Sequence, residues 1–258
     1  SQKAHINVAT WLEAVKAGDG IWFPAHAFTP HKGIYGNCCS GLLDALPEFP
    51  LAIEMGLSAD RQMARSISEL DGLVLFSNSD AHSLPNIARE YNLLEVSENS
   101  FLGLKNLLLQ KEGRVVANYG LPPPIGKYHR TYCLVCEKVV EAPPPFLHCP
   151  SCGSSKVIRG VFDRLLSIAD RKHNTEPDPL YIYQIPLRNL PGVGPKLIQR
   201  LLGEFGTELN ILHHVSAEDL NRVAGQKVSS LILSSRQGKC AIKPGGGGVY
   251  GKVVDILS

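Results

Sequence analysis

Residues 73–82 read Leu-Val-Leu-Phe-Ser-Asn-Ser-Asp-Ala-His, an apolar run that passes directly into polar side chains. Short apolar runs bounded by Gly, Pro or Asp are typical of strands that are buried on both faces of a parallel sheet. Strand-like runs at residues 20–24 and 51–54 alternate with helix-like stretches at 11–17, 61–70 and 101–111. This alternation predicts an α/β fold for the first half of the chain.

The chain has 258 residues, of which 44% are hydrophobic and 19% are charged. This composition supplies one large or two smaller hydrophobic cores and argues against a disordered chain. No apolar run approaches the roughly 18 residues that a membrane-spanning helix needs, and the N-terminal residues lack the layout of a signal peptide. We therefore expect a soluble, cytoplasmic protein with no membrane partner. The sequence leaves its oligomeric state open.

The charge is spread unevenly along the chain. Residues 1–126 carry 9 Lys and Arg against 13 Asp and Glu, whereas residues 127–258 carry 17 against 11. The second half is therefore the basic half. A positive balance of this size favours a polyanionic partner such as DNA, although it is also common on an ordinary solvated surface.

Cys133 and Cys136 form one Cys-x2-Cys pair, Cys149 and Cys152 form a second, and 12 residues separate the two pairs. Each pair can hold two sulfurs on a tight turn, so the four thiolates can bind zinc tetrahedrally and leave it no open position. A closed site of this kind is structural, and its zinc stabilises a segment with little core of its own. The alternatives are two disulfides, four free thiols, or zinc with His148 in place of one cysteine.

Residues 121–124 read Leu-Pro-Pro-Pro, which cannot continue a helix and indicates a linker. We expect three domains: an α/β domain over residues 1–120, a zinc ribbon over 127–160 and a helical region over 161–258. Helices are predicted at residues 197–205, 208–213, 217–224 and 228–236. The four glycines at residues 245–248 lack the Lys-[Ser/Thr] of a phosphate-binding loop, so we interpret them as a flexible bend.

Residues 190–196 read Leu-Pro-Gly-Val-Gly-Pro-Lys, and we expect a short helix before them and an amphipathic helix after them. The pattern resembles the helix-hairpin-helix of many DNA repair proteins. We expect Gly192 and Gly194 to let a phosphate approach the helix N-terminus, with Lys196 and Arg200 adding positive charge. An ordinary turn between two helices, capped by glycine, is the alternative.

Polar side chains follow the carboxyl ends of the predicted strands. In α/β folds the active site lies at these ends of the parallel strands. His26 follows the run at 20–23, and Asp80 and His82 follow the run at 73–76. In Asp-x-His the carboxylate and the imidazole can approach one metal ion or two adjacent ones. Alternatively, Asp80 or Ser83 caps a helix over residues 84–91.

Three strings carry a family resemblance: His-Ala-Phe-Thr-Pro at 26–30, Glu-Met-Gly-Leu-Ser-Ala-Asp at 54–60, and Ser-Asn-Ser-Asp-Ala-His-Ser at 77–83. Together they resemble the PHP metallophosphoesterase family and, more narrowly, its endonuclease Q members. The resemblance implies a partial PHP-type distorted (β/α) barrel, followed by a small zinc ribbon and an α-helical helix-hairpin-helix domain.

The resemblance also implies an activity, namely a DNA repair endonuclease. Such an enzyme hydrolyses the phosphodiester 5′ to deaminated bases (uracil or hypoxanthine) or abasic sites, in damaged duplex or single-stranded DNA. It depends on divalent metals at the active site, which are zinc, manganese, magnesium or iron. By the same resemblance His26, Asp80 and His82 bind these metals. Glu54 is a ligand, the partner of a ligating histidine, or an orienter of the DNA strand.

Discrimination of a lesion requires the base to leave the stack, because phosphate contacts cannot distinguish uracil from cytosine. Aromatic side chains near the ribbon are candidates for contacting such a base, although packing would equally explain them: Tyr128, His129, Phe146 and Tyr181.

One departure from the family pattern lowers the expected activity. PHP domains begin with His-x-His on their first strand, and this chain has no such motif, since His5 stands alone. We therefore expect an incomplete metal cluster in a truncated chain that cuts DNA weakly or not at all. Two other functions stay open: a PHP phosphatase that acts on a small phosphomonoester, and a DNA-binding fragment without catalytic activity.

Overall fold

The computed structural model describes residues 5–143, 148–172 and 178–256 and has a mixed α/β fold. In the first half the elements are α1 (Val8–Ala17), β1 (Ala52–Glu54), α2 (Arg61–Ala64), β2 (Val74–Phe76), β3 (Tyr91–Glu95), α3 (Phe101–Leu108) and β4 (Arg114–Gly120). The middle contains β5 (Tyr132–Cys133), β6 (Lys138–Val139), β7 (Val157–Ile158), α4 (Val161–Ile168) and β8 (Tyr181–Tyr183). The last part contains α5 (Pro195–Phe205), α6 (Glu208–His213), α7 (Ala217–Ala224), α8 (Gln226–Arg236), β9 (Cys240–Lys243) and β10 (Lys252–Ile256). Within the described ranges no helix has the length and apolar character needed to cross a bilayer.

The strands β1 and β2 form the parallel pair that the apolar runs predict, with Glu54 opposite Phe76 at their carboxyl ends. The run at 20–24, which was also predicted to be a strand, has no regular strand pairing. It lies beside β1, where Glu54 N donates to Pro24 O at 2.9 Å and Ala27 N donates to Glu54 O at 2.8 Å. All three segments therefore end near one edge.

The core of the first half also contains residues from later in the chain. Buried side chains such as Phe28 and Ile53 pack in one cluster with Val161 and Leu165 of α4 and Tyr181 of β8. In addition, β8 pairs in parallel with β4, which pairs antiparallel with β3. These contacts cross the boundary placed at residue 160, and the division into three domains stays a prediction.

The zinc-ribbon segment enters and leaves the first half at one place. Val161 N donates to Tyr128 O at 2.7 Å. Gly160 N donates to Thr131 Oγ1 at 2.9 Å. The buried carboxylate of Asp163 accepts Thr131 N at 2.6 Å, which ties α4 to the start of β5. The segment is thus an insertion whose two ends are hydrogen-bonded to each other.

Residues 121–124 connect two units but are not an exposed linker. A single 3-10 turn spans Pro123–Ile125, and the side chains of Leu121 and Ile125 are buried in the core of the last part. The glycine-rich bend packs against this turn, since Gly245 N donates to Pro124 O and Gly251 N donates to Ile125 O, both at 2.9 Å.

The helices α5 to α8 match the four predicted helices within two residues at each end. Each helix contributes one fully buried apolar side chain to a shared core: Leu201, Ile211, Leu220 and Ile232. Before α5 the chain forms only a 3-10 turn at Leu187–Asn189, where the hairpin pattern predicts a short helix.

Candidate active site and zinc site

The four cysteine sulfurs of the two Cys-x2-Cys pairs lie within 4.8 Å of one another. The sulfurs of Cys133 and Cys152 are 3.7 Å apart, and those of Cys136 and Cys149 are 3.9 Å apart. Four sulfurs at about 2.3 Å from a tetrahedral zinc ion are separated by about 3.8 Å, so this arrangement fits zinc. A disulfide needs about 2.05 Å, and all four cysteines are free thiols here, so the structure does not contain the two disulfides of the alternative interpretation. His148 is exposed and is not a member of the group.

The short strands of the ribbon position these sulfurs. Cys133 ends β5, the central strand, which pairs antiparallel with β6 on one side and β7 on the other. Cys136 N donates to Cys133 Sγ at 3.3 Å, which forms the tight turn that the spacing predicts. Among the described residues of this segment, the buried apolar cluster around them is small, with Cys133, Val140 and Cys149 at its centre. A metal ion bound by the four sulfurs would add stability that this cluster does not supply.

His26, Glu54, Asp80 and His82 line one cleft of about 450 Å³, called the acid–histidine cleft below. Glu54 is the last residue of β1, and Asp80 comes four residues after β2. The parallel pairing of these strands brings both acids to the same edge. The structure thus gathers the four predicted active-site residues in one place.

Glu54 holds the loop that carries His26. Its carboxylate is buried, with one oxygen accepting Gly56 N at 2.8 Å and the other accepting His26 N in a short hydrogen bond. His26 has a φ of 35°, in the region that favours glycine, so these bonds stabilise a strained backbone. Burial raises the pKa of Glu54, and the two backbone amides oppose this rise. Because both oxygens bond to the backbone, the geometry favours positioning over direct metal ligation.

Asp80 and His82 form a pair that opens to the cleft. Asp80 Oδ1 lies 3.4 Å from His82 Nε2, and 49% of the Asp80 side chain and 86% of the His82 side chain are exposed. Asp80 also has a positive φ, of 43°. Neither Asp80 nor Ser83 caps a helix, since the residues after Ser83 form a 3-10 turn, Leu84–Asn86, without a side-chain cap.

The catalytic metal set that the resemblance implies is not complete in this cleft. In the ranges that the structure describes, the four cysteines are the only group of three or more such residues whose ligand atoms converge. His26 Nδ1 is buried without a hydrogen-bond partner, as an unfilled ligand position would be. It does not converge with Asp80 and His82 on one ion, so the residues present do not fit a catalytic metal by themselves.

Sequence reasoning missed the cations of the cleft, Lys32, Arg89 and Lys127, as well as Tyr250. Arg89 Nε donates to Ser79 O at 2.7 Å, and its other nitrogens donate to Asp80 O and to the Tyr250 hydroxyl at 3.4 and 3.1 Å. Lys127 Nζ lies 4.9 Å from the centre of the Tyr250 ring. No local motif marks these residues, and the contacts of Tyr250 with Arg89 and Lys127 join segments far apart in sequence.

The candidate stacking residues divide into two groups. Tyr128 lines the acid–histidine cleft, whereas His129 and Tyr181 are buried. Burial lowers the pKa of His129 to about 4, so its imidazole is neutral and serves packing. Phe146 lies outside the described residues.

The candidate DNA-binding residues surround the start of α5. Gly192, Gly194, Lys196 and Arg200 are all exposed, and Gly192 has a φ of 80°. A Cβ at Gly194 would meet no atom within 4 Å, so packing does not require glycine there. Gly194 is the N-cap and offers no side chain to the first turn, which leaves the helix N-terminus open to an anion.

No model of a known protein family matches the chain. A structure of endonuclease Q in complex with a 27-mer duplex substrate, with an abasic lesion at the active site, superposes with a TM-score of 0.80. The two sequences are 30% identical, over 98% of this chain and 67% of that one. The chain belongs to the endonuclease Q family. The structure of the lesion-specific endonuclease PfuEndoQ from Pyrococcus furiosus is similar too, with a TM-score of 0.79 and 31% identity over 96% of this chain and 66% of that one.

Two further proteins of unassigned function are similar to this endonuclease Q family member in sequence. Protein YqxK of Bacillus subtilis is 43% identical over 260 residues, which cover 98% of this chain and 66% of YqxK. Protein MJ0043 of Methanocaldococcus jannaschii is 36% identical over 249 residues, which cover 88% of this chain and 31% of MJ0043. The chain thus spans just under two thirds of YqxK and about a third of MJ0043.

Proposed function

We propose that the chain is the DNA-engaging part of a repair endonuclease that hydrolyses the phosphodiester 5′ to uracil, hypoxanthine or an abasic site, in a metal-dependent reaction. The observation that carries this proposal is the acid–histidine cleft, where His26, Asp80 and His82 share one space with Lys32 and Lys127. Titratable groups beside cations suit a phosphate that has to be bound and cleaved. The likeness to endonuclease Q, whose abasic lesion occupies the active site, supports the same substrate class.

The likeness to endonuclease Q also supports an assignment of the domains. We propose that residues 1–120 are the later part of a PHP-type barrel, residues 127–160 a zinc ribbon and residues 161–258 a DNA-binding region with a helix-hairpin-helix. The parallel pair of β1 and β2 with its polar edge and the converging cysteines support this assignment.

The residues of the cleft can perform part of the chemistry. Lys32 and Lys127 can bind phosphate oxygens, while the Asp80 carboxylate, 3.4 Å from His82 Nε2, can orient that imidazole toward a bound phosphate. The described residues do not complete a catalytic metal site. We therefore propose that this chain alone is weakly active or inactive.

The incomplete metal set favours a second candidate function, a DNA-binding unit without catalytic activity.

One set of assays separates the two candidates: binding and nicking of a uracil duplex, an abasic duplex and an undamaged duplex, each with added Mg²⁺ or Mn²⁺. Tighter binding of the damaged duplexes with weak, metal-dependent nicking at the lesion supports the nuclease. Binding without any nicking, with or without a preference for the lesion, supports the second candidate. Failure to bind any of the three duplexes contradicts both, and hydrolysis of a phosphomonoester would indicate the phosphatase.

The start of α5 offers a separate prediction. Replacing Lys196 and Arg200 together with Ala should weaken binding to damaged and undamaged duplex alike, by about tenfold at moderate salt, because phosphate contacts carry no sequence information. The slope of log K against log salt should fall by about 1.8, since each lost phosphate contact removes about 0.9. Fluorescence anisotropy across a salt series measures both quantities.

The control for this pair is Lys111→Ala, at an exposed lysine after α3 that should leave affinity and slope unchanged. A double variant whose slope equals that of the unmodified chain would show that α5 does not contact phosphate.

A further inference from the structure

Leu84 is the most exposed large apolar side chain in the described part of the chain, with 81% of its surface accessible. Single exposed leucines are common and need no explanation by themselves. The position of this one is unusual, because it comes two residues after His82 and its own turn reaches into the acid–histidine cleft through Asn86. Leu84 is not itself a lining residue, but its exposed apolar side chain belongs to the turn that borders the candidate active site.

The turn that carries Leu84 is held firmly. Ile87 N donates to Leu84 O at 3.1 Å, and Asn86 N donates to Ser83 O at 3.0 Å. Pro85 fixes its own φ within the turn. The Asn86 side chain accepts a short hydrogen bond from Arg188, which joins the turn to the segment before α5. Leu84 is thus presented on a rigid support, so little backbone entropy would be lost if it entered another surface.

The surroundings indicate what that surface is. Lys32, Arg89 and Lys127 line the cleft that this turn borders, and clustered cations attract a phosphate backbone. A DNA strand with one phosphate bound in the acid–histidine cleft would place its bases near the edge of that cleft. Apolar side chains at such positions insert between base steps and unstack them.

We propose that Leu84 is a wedge that enters the base stack beside the nucleotide held in the cleft and fills the space that this nucleotide leaves. The inference rests on the proposed function, because it requires damaged duplex as the substrate. Leu84 has no hydrogen-bonding group, so it contributes to unstacking and not to reading the base. Its contribution should therefore appear with duplex DNA and be absent with a single strand, where nothing has to be unstacked.

The test compares Leu84→Ala with the unmodified chain on two probes that share one labelled strand. One probe is a duplex with a single abasic site next to a 2-aminopurine, and the other is the same strand unpaired. We expect about tenfold weaker binding to the duplex, a smaller rise in 2-aminopurine fluorescence on binding, and less than about a twofold change with the single strand. Leu84→Met keeps an apolar side chain of similar size and should bind the duplex as the unmodified chain does.

The matched control is Leu102→Ala, because Leu102 is also exposed, at 56%, and lies on α3, a helix that contributes no residue to the lining of the cleft. Unchanged duplex binding by Leu84→Ala, or an equal loss on both probes, would overturn the wedge. Failure of the proposed function looks different, since the unmodified chain would then not distinguish the abasic duplex from an undamaged one.

Discussion

Replacing Cys133 with Ser is expected to abolish zinc binding and to unfold the ribbon while the rest of the chain stays folded. Cys133 is fully buried at the end of the central strand β5, and only a few apolar side chains surround it. Zinc binding supplies about 10–16 kcal/mol in zinc-finger peptides, far more than such a small cluster can provide. Without the fourth sulfur this stabilisation is largely lost.

Metal analysis of the purified chain measures the first effect, with about one zinc ion per chain expected before the change and none after it. Limited proteolysis measures the second, because new cleavage sites should be confined to residues 131–160. The exposed Cys38 provides the control, since Cys38→Ser removes a thiol outside the cysteine group and should change neither result. A Cys133→Ser chain that retains its zinc would refute the assignment of this residue as a ligand.

Replacing Glu54 with Ala is expected to lower the free energy of unfolding by about 2–6 kcal/mol. The carboxylate accepts the backbone amides of His26 and Gly56, and its removal leaves two donors without their acceptor. Each unsatisfied buried donor costs about 1–3 kcal/mol. The loop of His26 should also relax, because its positive φ loses its support.

Glu54→Gln should have an intermediate effect, because the amide oxygen can accept one backbone N–H while the amide nitrogen faces the other donor. Urea denaturation followed by circular dichroism gives the free energies, and Glu112→Ala, at an exposed acid, controls for the loss of a negative charge. A change below about 0.5 kcal/mol for Glu54→Ala, the size expected of an ordinary surface substitution, would mean that the carboxylate does not hold this loop.

Local sequence patterns were sufficient for some elements and not for others. The parallel pair of β1 and β2 and the helices α5 to α8 follow from short apolar runs and helical periodicity, which are properties of the segments themselves. The strands β3 and β4 were missed, because β3 is largely exposed or half-buried and its pairing with β4 shifts register after Leu93. Conversely, the run at 20–24 reads as a strand but lacks a regular partner. Strand formation depends on the neighbour, which a local pattern does not contain.

The same limit applies to the candidate site. His26, Asp80 and His82 could be found because each follows an apolar run, and parallel strands bring such ends together, whereas Glu54 was found through the family resemblance. Arg89 and Tyr250 could not be found this way, since the hydrogen bond between them joins residues 161 positions apart. The metal-binding and catalytic roles of the four predicted residues stay predictions.

The way in which the zinc segment joins the first half has a consequence for its evolution. Its first and last residues are adjacent, with Val161 N bonded to Tyr128 O and Gly160 N bonded to Thr131 Oγ1. An inserted segment whose two ends are adjacent can be deleted or replaced by another segment without displacing the surrounding fold. Other segments could therefore have replaced this one at the same junction during evolution. Replacing residues 132–159 with a short glycine-serine bridge should leave the rest of the chain able to fold.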